Sequence, residues 1–316
     1  VKSSGRIITI GLSPAWDVSC RGQNLEWGRH PEIDEQVVRP AGKALNVSSA
    51  LAWMGRSSVA AGLWGREDYE SMRRAVGTQG DFIRVEMTQV DGPTRRNITV
   101  VDTRRQREMH LRCRSRLANA GSIERLSLDL KKLVRPGDVC VFAGAMPGEA
   151  LLEPLVAMVH TCRERETRVV LDAHGPALAR LVDAGLPWLI APNVEELAQL
   201  LGGEVKDTPA RLVGAARPLL EKVPNLLVSR GVKGAILVTK RGAWAGRTTT
   251  RGKVLETVGC GDYLLAGFLA GYSKRGNTRD ALTTAIKVAT ARARGCSETQ
   301  TWSQASRRID IQVVAV

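Results

Sequence analysis

The sequence predicts an α/β fold: a parallel sheet with helices on both faces and a small β-sheet lid. Three observations predict it. Beyond about residue 120, apolar runs of strand length alternate with segments of helical period, the pattern of strand–helix–strand units. Two stretches, about 15–39 and 86–114, break that alternation with extended, β-rich character and read as separated pieces of a second sheet over the strand ends. Finally, 316 residues at 43% hydrophobic and 25% charged hold ample material for a core. No repeat, low-complexity tract or long linker divides them, so residues 1–316 read as one domain.

Each element follows in order. Ile7–Leu12 is a buried first strand, and Trp16–Cys20 and Gln36–Arg39 are extended pieces without helical period. Ala44–Met54 is a helix, apolar at Leu45, Val47, Leu51 and Met54 and closed by Gly55. Val59–Trp64 is a strand and Asp68–Val76 a helix, followed by a β-rich patch at Phe82–Met87, Arg96–Asp102 and Glu108–Arg114. Alternation then begins: helix Ile123–Leu133, strand Val139–Gly144, helix Leu151–Arg163, strand Arg168–Asp172, helix Pro176–Val182, strand Trp188–Ala191 and helix Val194–Leu201. Helix Ala210–Glu221 leads to strand Leu226–Ser229, a hairpin at Gly234–Lys240 and Ala243–Arg247, and helices Asp262–Tyr272 and Thr278–Ala293.

Composition narrows the function classes. No apolar run approaches the ~18 residues of a membrane span, and no charged-then-apolar signal pattern opens the chain. Val1–Gly5 reads as a remnant of processing or expression. The six Cys include no C-x-x-C pair and the four His no H-E-x-x-H, which disfavours a disulfide framework or a zinc site and favours the cytoplasm. A net charge of +14 attracts anions, and eight Arg fall between Arg95 and Arg116. That stretch lacks aromatics for base stacking and any nucleic-acid-binding signature, so nucleic acid ranks behind a solvated face or a phosphate-ester pocket.

The chemistry centres on Thr257-Val258-Gly259-Cys260-Gly261-Asp262, which runs directly into a helix. Glycines at a loop-to-helix junction let backbone N–H groups approach an anion at the positive end of the helix dipole. An Asp beside that anion suits proton abstraction better than phosphate binding. A plain capped turn is the competing reading. Elsewhere there is no Walker A loop, since Ala44 follows Lys43 where Ser or Thr is needed, and no G-x-G-x-x-G opens a helix after the first strand.

Six motifs in order carry a resemblance. Ile8-Thr-Ile-Gly-Leu-Ser-Pro-Ala-Trp-Asp17, Ala41-Gly-Lys-Ala-Leu-Asn46, Thr94-Arg95-Arg-Asn-Ile98, Ala191-Pro-Asn193-x-x-Glu196, Ser229-Arg-Gly231-x-x-Gly234 and Thr257–Asp262 resemble the signatures of the ribokinase/PfkB carbohydrate kinases. Within them, the chain is similar to the branch with 1-phosphofructokinase and tagatose-6-phosphate kinase. The resemblance implies a ribokinase-like sandwich, ATP and Mg²⁺ as cofactors, and a phosphorylated ketohexose as substrate. It implies Asp262 as the base and the N–H groups of Gly259, Cys260 and Gly261 as the phosphoryl cradle. Asn193 and Glu196 would organise Mg²⁺ through water. Asp17, Gly42 and Asn46 would hold the sugar, and Lys43 and Arg95 its phosphate. Asn193, Ser229, Gly231, Gly234 and Thr257 would shape the nucleotide side, and the lid would offer a surface for a homodimer.

Simpler readings stand beside these. Asp17 and Asn46 can cap a turn and a helix, and Glu196 can be an unpaired helix residue. Lys43 and Arg95 can be solvated charges, and Gly231 and Gly234 turn glycines. Cys260 fills an alanine-like slot and His174 has a structural role. The motifs are also altered: Ala41, Ala44 and Ala191 replace the branch's Gly, Gly and Lys, and Tyr263 replaces a small hydroxyl residue. Arg112, Arg114 and Arg116 would alternate onto one strand face. The departures admit two alternatives: a kinase for an unphosphorylated sugar or nucleoside, or a catalytically weak ligand- or nucleic-acid-binding protein on the same scaffold.

Overall fold

The computed structural model describes residues 5–78, 80–275 and 277–316; apart from Gly5, the segment read as a remnant lies outside them. Strand β1 (Ile7–Gly11) is followed by the extended β2 (Ala15–Gly22) and β3 (Glu35–Ala41). Helix α1 (Lys43–Trp53), β4 (Ser58–Gly65), α2 (Tyr69–Gly77) and β5 (Ile83–Val90) come next, then β6 (Arg96–Asp102) and β7 (Arg107–Leu111). The alternating half holds α3 (Ala120–Leu133), β8 (Val139–Ala143), α4 (Leu152–Glu164), β9 (Arg168–Asp172), α5 (Gly175–Asp183) and β10 (Leu189–Ile190). It continues with α6 (Val194–Leu201), α7 (Pro209–Ala216) and β11 (Asn225–Ser229). The remainder is β12 (Ala235–Thr239), β13 (Gly242–Thr248), α8 (Cys260–Arg275), α9 (Thr278–Ala293), α10 (Cys296–Thr299), α11 (Trp302–Ser306) and β14 (Ile311–Ala315).

Ten strands form the large sheet in the order β14-β13-β12-β11-β10-β9-β8-β1-β4-β5. Pairing is parallel from β5 to β11 and antiparallel from β11 to β14. The expected parallel sheet is therefore mixed at one edge. The short links between β11, β12 and β13 can only reverse the chain, whereas a parallel return needs a crossover. Period-two alternation sorts the core into two layers. Ile8, Ile10, Cys140, Phe142, Val169 and Leu171 face one cluster, with residues of α3, α4 and α5. Ile7, Val139, Val141 and Val170 face the other, with residues of α1, α8 and α9. Among the described residues, no helix is long and apolar enough to cross a membrane.

The second sheet has the order β3-β2-β6-β7. It corrects the expected lid bounds. Residues 86–90 lie in β5, which pairs with β4 over eight residues, from Ser58↔Ile83 to Gly65↔Val90. β4, α2 and β5 form a parallel strand–helix–strand unit, so β5 belongs to the large sheet although no helix separates it from β6. Strand β7 stops at Leu111, and residues 112–118 are irregular, so Arg112, Arg114 and Arg116 do not alternate on a strand. The expected helix 210–221 also shortens. It is α-helical to Ala216 and continues as a 3₁₀ turn, Arg217–Glu221, because Pro218 cannot donate the next helical hydrogen bond.

The chain leaves β1 toward β4 on one side and reaches β8 on the other. This reversal of strand order opens a crevice at the carboxyl ends of the parallel strands, where α/β folds bind ligands.

Candidate active site

Gly259 adopts φ +78°, the left-handed region that favours glycine, and α8 begins at the next residue. Its carbonyl accepts from Tyr263 N at 3.0 Å, so the plain reading of the turn as the cap of α8 holds. Asp262, in the first helical turn, is only 5% exposed. Asn46, on α1, donates from Nδ2 to Asp262 Oδ2 at 2.7 Å. Burial pushes the Asp262 carboxyl up to about 7, and the charge of Asp172 adds to that; the Asn46 hydrogen bond, Lys43 and Arg292 work against it. A carboxylate poised near 7 is a far better proton acceptor than an ordinary surface one.

Lys43 opens α1 behind Gly42, and its Nζ donates to Asp172 Oδ1 at 2.8 Å. Asp172 is buried at the carboxyl end of β9. Burial alone would lower the Lys43 ammonium, but Asp172, then Asp262 and Glu196, raise it above its usual value. The lysine expected to bind a sugar phosphate thus starts in an ion pair. Sequence reasoning missed Asp172; its signal was an Asp closing an apolar strand run.

Arg95, its expected companion, spends its donors on backbone: Ser13 O at 3.0 Å, Pro14 O at 3.2 Å and Cys113 O at 2.7 Å. It rivets the start of β6 to the β1–β2 corner and to the segment after β7, and burial lowers its pKa. Asp17 is exposed on β2 and accepts from Asn97 Nδ2 at 2.9 Å. Gly11, Ser13, Gly42, Lys43, Ala44 and Met87 line a cavity of about 10 Å³ between the two sheets. That is room for about one water.

On the other flank, Asn193 and Glu196 form a reciprocal cap on α6. Glu196 N donates to Asn193 Oδ1 at 2.8 Å, and Asn193 N donates to Glu196 Oε2 at 2.9 Å. The reading of Glu196 as an unpaired helix residue is corrected, since its other oxygen also stands 3.9 Å from His174 Nδ1. Asn193 bridges to Ser229 at the end of β11. Gly231 has φ +55°, and Gly234 has φ +89° with space for no side chain: a Cβ there would lie 2.0 Å from Gly246 O. Thr257 is exposed, two residues before Gly259. The structure therefore joins Asp262 to Asn46 and Lys43 to Asp172 by hydrogen bonds, and Lys43 and Asp172 act on Asp262 electrostatically. Asn193, Glu196 and Ser229 flank that pair of contacts, and Asp17 lies on the second sheet with Arg95 just before β6. Gly231 and Gly234 bound the 3₁₀ turn after β11, and Thr257 lies in the exposed segment before α8.

Sequence comparison decides what this arrangement belongs to. The profile of the pfkB family of carbohydrate kinases matches residues 6–303. The chain belongs to the pfkB family. This kinase is 28% identical over 273 residues to 1-phosphofructokinase of Vibrio cholerae, covering 85% of this chain and 84% of that protein. It is 26% identical over 274 residues to 1-phosphofructokinase of Bacillus subtilis, covering 85% and 86%. Phosphofructokinase-2 from Escherichia coli, solved with fructose-6-phosphate, superposes with a TM-score of 0.87 at 20% identity over 96% of this chain and 98% of that one. The match bears out the ribokinase-like α/β fold with its small second sheet. As a carbohydrate kinase, the enzyme takes its phosphoryl group from ATP.

Proposed function

We propose that this kinase phosphorylates a hydroxyl of a phosphorylated ketohexose, in the manner of the 1-phosphofructokinases it is similar to. The observation that carries the proposal is Asp262: a buried carboxyl raised to about 7, at a helix N-terminus beside backbone amides suited to an anion. The sugar hydroxyl oxygen attacks the γ-phosphorus of ATP. Its proton passes to Asp262, the bond from the γ-phosphorus to the bridging oxygen breaks, and ADP departs with that electron pair. Gly259, Cys260 and Gly261 hold the transferring group by their amides. Asp17, Gly42 and Asn46 orient the sugar, while Ser229, Gly231, Gly234 and Thr257 flank the nucleotide.

The donor set on α6 fits Mg²⁺ held through water. Asn193 Oδ1 and Glu196 supply hard oxygen atoms, each partly committed to the helix cap. Among the described residues, no three His, Cys, Asp or Glu side chains converge as metal ligands, consistent with an ion that takes most of its other ligands from nucleotide phosphates and water. When bound, Mg²⁺ neutralises charge on those phosphates.

A second reading, a kinase for an unphosphorylated sugar, draws on Lys43 and Arg95 both being engaged within the protein. ADP release measured over sugars and sugar phosphates separates the two. Turnover of a ketohexose phosphate but not of its parent sugar is expected, with Asp262→Asn lowering kcat by several orders of magnitude while ATP still binds. Turnover restricted to free sugars would overturn the substrate assignment. The second sheet also exposes Val38, Met109 and Leu111, which we propose as a lid face that pairs with a second copy. Light scattering with Val38→Lys and Leu111→Lys tests it, a monomeric wild type refuting the pairing.

A further inference from the structure

None of the six motifs includes Arg292, yet the fold brings it to the phosphoryl cradle. It lies in the last turn of α9, and its side chain is only 16% exposed. Five groups hold the guanidinium. Nη1 donates to Ser297 Oγ at 3.2 Å and to Glu298 Oε1 at 3.1 Å, and Nη2 stands 3.7 Å from Glu256 Oε2. The plane covers the Tyr263 ring at 5.4 Å, and Nε donates to Val258 O at 3.4 Å. A cation in the last turn of a helix complements the helix dipole, but that needs no such enclosure.

The contact with Val258 has a specific consequence. The Val258 carbonyl and the Gly259 N–H belong to one planar, trans peptide unit and point in opposite directions. Holding the oxygen on one side therefore aims the N–H on the other. The missing side chain of Gly259 leaves a space bounded by the same groups: a Cβ there would lie 3.9 Å from Arg292 Nε and 3.8 Å from Asp262 Oδ2. The charged and titratable groups acting on Asp262 are Asp172 at the end of β9, Lys43 at the start of α1 and Arg292 on α9. Cys260 and Tyr263 flank it on its own helix.

We propose that Arg292 is a positioning residue of the transfer centre: it aims the Gly259 amide through the Val258 carbonyl and keeps a fixed positive charge beside Asp262. The inference rests on the kinase reading above, and its test separates the two. In Arg292→Met, which removes both functions, kcat falls roughly ten-fold or more with little change in the sugar KM. The acid limb of kcat/KM also moves to higher pH, because a charge favouring ionised Asp262 is gone. Arg292→Lys keeps the charge, so its limb stays at the wild-type pH while kcat recovers only in part.

Unchanged kcat and limb in Arg292→Met, or equal losses in both variants with no limb movement, would overturn the inference while wild-type turnover still upholds the kinase. If no sugar is turned over even by wild type, the kinase reading fails and Asp262 is followed directly. Carbon-13 NMR of aspartate-labelled protein, assigned by the signal lost in Asp262→Asn, then reads its titration. A higher midpoint in Arg292→Met supports the inference; the same midpoint refutes it.

Discussion

Two substitutions should move the ionisation of Asp262 in opposite directions. The carboxyl stands at about 7 against an ordinary 3.8, which places a penalty of about 4 kcal/mol on its ionised form. Asn46 lessens that penalty through a 2.7 Å hydrogen bond to Oδ2. Hydrogen bonds to charged groups contribute about 1.5–3 kcal/mol, so Asn46→Ala should move the acid limb of kcat/KM upward by about one to two pH units. Asp172 acts the other way, since its negative charge opposes ionisation of its neighbour. Asp172→Asn removes that charge and leaves Lys43 without its carboxylate partner, and both changes favour ionised Asp262. Its limb should move below the wild-type position. The assay is coupled ADP release at low sugar concentration across a pH series, with enzyme integrity checked by thermal melting at each pH. Asn46 is also proposed to orient the sugar, so the height of its profile will fall, but the limb position reports protonation alone. A limb that stays put in both variants, or moves the same way in both, would refute the assignment of Asp262 as the titrating base.

The same carboxyl should be visible in stability. Because its folded pKa is raised, unfolded chains ionise first as pH rises, so the native state loses stability between about 4 and about 7; Asp262→Asn should flatten that part of the melting-temperature profile. Lys43→Ala should raise the KM for a sugar phosphate while leaving that for ATP nearly unchanged, measured by ADP release over both substrates. Gly234→Ala should cost at least about 2 kcal/mol in urea unfolding, since the new Cβ meets Gly246 O at 2.0 Å on a backbone with φ +89°. Asp138→Ala should cost about 3 kcal/mol by the same measurement. It removes a buried carboxylate that accepts from Arg6 N, Arg6 Nη2 and Arg135 N.

Local features of both fold and site were legible. The Gly259–Asp262 turn and the α1 start at Lys43 are each written in a few consecutive residues, and α8 and α1 begin there. The reciprocal Asn193–Glu196 cap went unread, although Asn-x-x-Glu before an apolar run is its signature. Strand–helix alternation gave the large sheet because burial on alternate faces leaves a period in the sequence itself. What stayed hidden depends on distance. Lys43 meets Asp172 across 129 residues, and Arg95 meets Ser13 O across 82, so a lysine and an arginine suited to phosphate carry no local mark of being already occupied. Arg292 is one of many arginines in a chain of net charge +14, and only the packing of α9 against the Gly259 turn distinguishes it. The expected lid takes in residues 86–90 because their neighbours in sequence lie in the second sheet, while their hydrogen-bonding partner is β4. The short helices α10 and α11 hold too few residues for their period to show.

The hydrogen bond between Asn46 and Asp262 joins residues 216 positions apart. Closing so long a loop carries a large entropy cost, which is recovered only once the intervening strands have paired. A refolding chain can therefore regain its helices, and much of the large sheet, while Asp262 is still apart from its partner. Circular dichroism would recover ahead of enzymatic turnover, and the interval between them would time the docking of α8 onto α1. Activity in this kinase would therefore report the docking of α8 onto α1, and a chain folded short of that closure would not release ADP.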